Sequence, residues 1–316
     1  MNARAQIRML PDGCRLHMHD GPIDVIVQAF GAGDEVERAY RAAASRFVEI
    51  LDELCRELAF LRRPVCVDGD LPSGAIAQRM LAAVRPYASL TFITPMAAVA
   101  GAVAEEILLA MTSAAQLSRA YVNDGGDIAL HLGPGESFVA GMVENPDRPA
   151  TPTNPTSQMR DVRHLRLNLF GTTTIHSGDP IRGIATSGWR GRSFSLGIAD
   201  AVTVLAETAA MADAAATVVA NAVDLPGHPN VVRAPASELA PDSDLGARLV
   251  TQTVGELTIR EIRQALESGV RMASYLHGLG LIRAAALTLQ GEARVVGTED
   301  YSRVDISLQD RSLIHA

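Results

Sequence analysis

With 316 residues, of which 47% are hydrophobic, 20% charged and only 4% aromatic, the chain is globular and not disordered, and it is long enough for one large domain or two ordinary ones. Its net charge of -8 argues against a nucleic-acid-binding surface, which is usually basic. Three cysteines without CxxC spacing argue against a disulfide framework or a structural zinc site, and no apolar leader precedes Pro11, so reduced thiols and a cytoplasmic location are expected.

The chain opens with two strand-like runs, CRLHMHD and IDVIVQAF, joined at Gly21-Pro22 in the manner of a hairpin. A long amphipathic helix follows, with Val36, Tyr40, Phe47, Leu51, Leu54 and Leu58 at helical spacing, and it ends before Pro64. A second helix is expected over SGAIAQRMLAAVRPY. Thr94 and Pro95 read as an N-cap and first-turn proline opening an alanine-rich helix through Met111. Glu105 and Glu106 interrupt that apolar stretch, which makes it too polar and too short to span a bilayer.

Residues 119–145 then read as strand, glycine turn, strand, turn, strand. Residues 144–161, rich in Pro, Asn and Thr, form a surface loop or a lid. Short strands broken by glycines continue through LRLNLFGTTTI and GIATSGWRGRSFSLGIADAVTVLAE. Next come a helix of small residues, TAAMADAAATVVANAV, and a Pro/Asp/Ser-rich loop over 224–246. A helix with a capping box, Thr258 to Glu261, precedes a last pair of strands, LIRAAALTLQ and ARVVGT. Strands and helices come in clusters, so α+β is favoured over a doubly wound sheet.

Three stretches carry chemistry. In NDGGDI, Gly125 and Gly126 let the backbone turn sharply beside Asp124 and Asp127. IATSG ends a strand with Thr186, Ser187 and a glycine, whose amides and hydroxyls can hold a phosphate or carbonyl. On the small-residue helix, Asp213 and Thr217 stand one turn apart and share a face, with Asn221 drifting off the same side. A carboxylate plus a hydroxyl is a start for Mg²⁺, which borrows its other oxygens from water and phosphates. Taken singly, a solvated β-turn and a helix-capping aspartate are the simpler readings.

In combination, VNDGGDI, ATSG and VTVLAETAAMADAAAT resemble the motif series of the ApbE-like superfamily, whose best-known members are FAD:protein FMN transferases. The resemblance implies an α+β, T-fold-related architecture of antiparallel sheets covered by helices, with a ligand cleft between halves 1–145 and 162–316 of a single domain. It implies Mg²⁺ held by Asp213 and Thr217, and Gly125, Gly126, Asp127, Thr186, Ser187 and Ser195 as FAD-pocket positions. Asp213 and Asp127 are the expected catalytic groups. The departures from the family pattern are specific. TPMAAVAGAVAE has no lysine where the transferases carry one, and Ser195–Asp200 stands where they carry H-I-x-D-P. Trp189-Arg190 follows TSG in place of an acidic-aromatic pair. With TPMAAVAG, NDGGDIALH and SFSLGIADAVTV, the chain resembles a divergent branch of the superfamily.

The expected function is that of a Mg²⁺-dependent enzyme acting on a flavin nucleotide or related anionic small molecule, FMN transfer from FAD included, with a protein threonine or water as acceptor. Two alternatives stay open: a non-catalytic flavin- or nucleotide-binding protein, and a repurposed metal-dependent hydrolase or lyase of a small metabolite. Arg190, Arg192 and His131 are candidates for holding an anion, and His228 for reaching back to the pocket. His17 and His19 alternate on a strand and make an incomplete metal site. The expected partner is a small molecule, not nucleic acid or a membrane. The alanine-rich helices also allow a homodimer.

Overall fold

Burial alternates residue by residue along LHMHD and IDVIVQAF, which makes each a strand with one face in the core. Gly21, at a φ of 60°, turns the chain between them. The computed structural model describes residues 4–66, 69–143, 150–152, 165–167, 169–297 and 313–315. It begins with strands β1 (Gln6–Met9), β2 (Leu16–Asp20) and β3 (Ile23–Phe30). Helices α1 (Gly33–Arg56), α2 (Leu58–Leu61), α3 (Ala75–Val84) and α4 (Val99–Ala114) follow, α4 entered through a 3₁₀ turn at Pro95–Ala98. Then come β4 (Arg119–Asp124), β5 (Asp127–Leu132), β6 (Ser137–Val143), β7 (Ala150–Pro152), β8 (Leu165–Leu167), β9 (Leu169–His176), β10 (Gly183–Ser187) and β11 (Ala201–Ala206). Helix α5 (Ala209–Ala222) leads to β12 (Val231–Pro235), α6 (Ala236–Leu239) and β13 (Leu249–Val254). Helix α7 (Ile259–Gly278), β14 (Ala284–Leu289), β15 (Glu292–Val296) and β16 (Leu313–His315) complete the order.

Nine strands form one antiparallel sheet in the order β1-β2-β3-β4-β5-β10-β11-β14-β15. Strands from before and after residues 144–161 therefore share a sheet, joined where β5 pairs with β10. The class is α+β, as the clustering of elements predicts. Successive residues of a strand point to opposite faces. Val122, Ala129, Ala185 and Val204 thus enter a large core with the helices, while Tyr121, Ile128, Ile184 and Leu205 join Phe138 and Ile175 in a second core. Burial on both faces is why β11 and β14 are apolar at every position but Thr203 and Thr288.

Helices α4 and α5 cross through their first turns, and small residues allow it. A Cβ on Gly101 would sit 2.3 Å from the carbonyl oxygen of Ala209. The two helix starts also cap one another. The Asp213 carboxylate of α5 accepts from the Gly101 amide of α4 at 3.0 Å, and Glu105 of α4 accepts from the Ala210 amide of α5 at 2.7 Å. Each carboxylate satisfies an amide that a helix start leaves without an intrahelical partner. Pro95–Ala114 is long and apolar enough to cross a membrane by length and composition alone. In this fold it packs among α1, α3 and α5, and its Glu105 and Glu106 pair with Arg79 and Arg46.

The capping box at Thr258 and Glu261 forms as predicted. Residues 224–246 depart from the expected loop: Val231–Pro235 pairs with Leu249–Val254 as an antiparallel ribbon. The β-branched pair Val231-Val232 was the available signal, hidden between prolines. The expected loop at 144–161 lies outside the described residues, except that Ala150–Pro152 pairs with Leu165–Leu167.

Candidate functional site

The turn between β4 and β5 needs its two glycines. Gly125 and Gly126 have φ of 66° and 113°, in the left-handed region, and the Gly126 amide donates to Asn123 Oδ1 at 2.8 Å. Asp124 and Asp127 are cross-strand partners at the base of this turn. One sheet position further along, β10 ends at Thr186 and Ser187. The Thr186 amide donates to Asp127 Oδ1 at 3.3 Å, and the Thr186 hydroxyl meets that of Thr203, its partner on β11, at 2.9 Å. Gly188 follows because a Cβ there would lie 2.4 Å from the Asp200 carbonyl oxygen.

These groups line a cleft of about 540 Å³. Gly125, Gly126, Asp127, Thr186, Ser187, Asp213 and Thr217 all face it, so the structure brings together three motifs that are separate in the sequence. Sequence reasoning missed other walls: Met96, Ala97, Val99 and Ala100 at the start of α4, Ser193-Phe194, and the loop Ser243–Leu245. Thr94, expected as a side-chain N-cap, instead donates its hydroxyl to Asp244 and ties that loop to the head of α4. No spacing rule could have paired residues 150 positions apart.

Ser195 does not reach the cleft lining. Its side chain is buried, with its hydroxyl donating to Asn221 Oδ1 at 3.3 Å and accepting from the Gly197 amide at 3.2 Å. Asn221 also accepts from the Leu196 amide, so the face shared with Asp213 ends in a loop anchor and not in a ligand site. Asp200 is a knot for the 188–200 segment. It accepts from Trp189 Nε1, from Arg190 Nε at 2.7 Å, and from the Gln290 amide. Arg190 is thus engaged and stacked on Trp189. His131 points at the Leu117 carbonyl, and His228 at Glu261 of the α7 cap. His17 and His19 both contact Asp24 across the β2–β3 pair. None of these histidines lines the cleft.

Electrostatics mark the cleft floor. Burial pushes Asp124 up to about 7, with Arg192 opposing. Burial also raises Asp127 well above the usual carboxylate range, helped by the charges of Asp213 and Asp124. Asp213 is raised by burial and by Asp124, against the stabilising amides of Gly101 and Ala100. Asp127 and Asp213 both line the cleft and resist ionising together, because burial and like charge each favour the protonated form. Two carboxylates and a hydroxyl are hard oxygen donors and suit Mg²⁺, although they are fewer than the six oxygens it takes. Among the described residues no group of three His, Cys, Asp or Glu is arranged to hold a metal.

The sign of the pH effect follows. The unfolded chain loses these protons near pH 4, whereas in the folded protein Asp124 and Asp213 keep theirs to about 7 and Asp127 is likewise held well above the usual carboxylate range, so the folded state binds more protons in between. Stability contributed by these groups is complete below about pH 4 and is lost as pH rises toward about 7. Above about pH 5, Glu261, held at about 2 by the Thr258 amide and hydroxyl and by His228, stays ionised and does not mask the effect. Mg²⁺ is therefore expected to raise the melting temperature more at about pH 8 than at about pH 5. Equal shifts at both would rule Asp127 and Asp213 out as the cation's site.

Fold and cleft together define an α+β protein whose central cleft joins clustered carboxylates, a hydroxyl and a strand-end TSG turn. The family model described as AbpE bacteria matches residues 7–295, and the chain belongs to this ApbE-like family. The UPF0280 protein of Methanopyrus kandleri is 30% identical over 199 residues, covering 63% of this chain and 69% of that one. The UPF0280 protein of Methanothrix thermoacetophila is 34% identical over 187 residues, covering 57% and 68%. Among solved structures, apo flavinyl transferase ApbE from Pseudomonas stutzeri has a TM-score of 0.43 at 12% identity, covering 95% of this chain and 93% of that one. The flavin transferase ApbE from Vibrio cholerae has a TM-score of 0.38 at 12% identity, covering 94% and 100%.

Proposed function

We propose that the protein is a Mg²⁺-dependent enzyme that acts on a flavin nucleotide or a related phosphate-bearing small molecule, with FMN transfer from FAD as the leading reaction. The observation that carries this reading is the convergence of Asp127, Asp213 and Thr217 on one cleft, with both carboxylates raised by burial. In this reading Asp213 and Thr217 hold the cation, and the Gly101 amide fixes the carboxylate's direction. Mg²⁺, when bound, would neutralise the ligand's phosphates. Asp127, set by the Thr186 amide, is positioned to accept the proton of an incoming hydroxyl, and Ser187 to donate to the ligand. The Gly125–Gly126 turn presents backbone without side chains, which lets a ligand approach closely.

A second reading, binding without turnover, has one observation in its favour. The chain contains no lysine, and no histidine lines the cleft among the described residues, which leaves proton transfer to carboxyls alone. Titration with FAD, FMN and ADP, with and without Mg²⁺, separates the readings through flavin fluorescence and AMP release. Mg²⁺-dependent FAD binding with AMP release supports the transferase. Binding without release supports a carrier. Absence of flavin binding would end the flavin form of both and move the search to small anionic metabolites, a repurposed hydrolase or lyase included.

A further inference from the structure

Four carboxylates line the cleft, those of Asp127, Asp200, Asp213 and Asp244, and among the described residues one arginine does, Arg192. An anion entering such a cleft needs a positive group besides any cation, and the candidates differ sharply in availability. Arg190 is committed to Asp200 and to the Trp189 ring, and His131 lies off the cleft. Arg192 is 62% exposed on its side chain, and its Nη2 approaches Asp124 Oδ1 at 3.7 Å, longer than a hydrogen-bonded ion pair. Its guanidinium lies directly on the glycine turn. A Cβ on Gly125 would come within 1.9 Å of Nη2, so the missing side chain is what gives the arginine its resting place.

We propose that Arg192 is the phosphate-binding residue of the cleft, and that buried Asp124 is the carboxylate on which its guanidinium rests until a ligand arrives. The inference deepens, and rests on, the reading of the cleft as a site for an anionic ligand. The geometry suits exchange. Asp124 is behind the turn and only 5% exposed on its side chain, so it holds the guanidinium at the rim without blocking it, while the long, exposed arm is free to turn toward a phosphate. The planar fork can then bind two phosphate oxygens at once, which a point charge cannot. Two residues along, Phe194 also lines the cleft and is 39% exposed, so the same segment offers an apolar face beside the charge.

The test titrates the full chain with inorganic pyrophosphate and with ADP in the presence of Mg²⁺, with adenosine as the phosphate-free control, and with Mn²⁺ alone. Arg192→Ala is expected to weaken pyrophosphate and ADP by about 10- to 100-fold while adenosine and Mn²⁺ stay at wild-type affinity. Arg192→Lys should recover part of the loss, and Asp124→Asn, which weakens the resting partner, should bind both phosphates at least as tightly as wild type. Wild-type pyrophosphate affinity in Arg192→Ala, no phosphate binding by the wild type, or parallel loss of Mn²⁺ would each overturn the assignment. The two readings fail separately. If pyrophosphate binds through Arg192 but FAD neither binds nor releases AMP, the flavin reading falls and this one stands. If FAD turns over unchanged in Arg192→Ala, this one falls alone.

Discussion

Asp213→Asn is expected to lower divalent-cation affinity by at least about 100-fold while leaving the folded protein as stable as the wild type, or more so, at neutral pH and above. The magnitude has a floor: losing an outer-shell partner of a metal ligand already costs about 10- to 100-fold, and in the proposed site this change removes the ligand itself. Stability moves the other way because the carboxylate is raised by burial and by Asp124, so its ionised form costs the folded state. Asparagine keeps an oxygen that can accept from the Gly101 amide, so the junction of α4 and α5 survives. Asn therefore separates two jobs that Ala would confound. Manganese titration with thermal unfolding at about pH 8 reads both. Wild-type manganese affinity together with a lower melting temperature would mean that Asp213 serves α4 as a cap and nothing more.

Gly101→Ala should destabilise the protein by about 3 kcal/mol, although in an unconstrained helix the same change is stabilising. The sign is decided by what the new Cβ meets. It would stand 2.3 Å from the Ala209 carbonyl oxygen and 2.7 Å from the Ala210 amide, and backbone atoms cannot swing aside as a side-chain tip can. The helix starts must separate, which lengthens both reciprocal caps and moves Asp213 in the cleft. Cation affinity should fall along with stability. Gly278→Ala, where nothing lies within 4 Å, is the control and should be neutral or mildly stabilising. Denaturant unfolding of the two variants checks the pair, and equal stabilities would show that α4 and α5 are not in close backbone contact.

How much of this was legible beforehand varies by element. The β2–β3 hairpin, the β4–β5 turn and the α7 cap rest on local rules: period-two burial, a Gly-Gly turn between strands, and Thr258 with Glu261 three positions on. The α5 face with Asp213 and Thr217 was visible for the same reason, since positions four apart share a side of a helix. Asp200 could be flagged but not understood. Only the folded chain shows it gathering Trp189, Arg190 and the Gln290 amide.

Ser195 shows the limit of motif transfer. The resemblance makes it an expected pocket position, yet Asn221 and Gly197 claim its hydroxyl. The ribbon at 231–254 shows the limit of composition, because prolines and aspartates disguised strands whose pairing is what orders them. By itself the sequence determined the class of fold, the local turns and caps, and the residue types that can hold a cation, since each depends on neighbours within a few positions. Tertiary structure alone decided which of these groups meet, that Asp213 is oriented by another helix's first turn, and that, among the described residues, Arg192 is the arginine at the cleft. Contacts between residues a hundred positions apart are set by the packing of two cores against one sheet, and no local pattern encodes them.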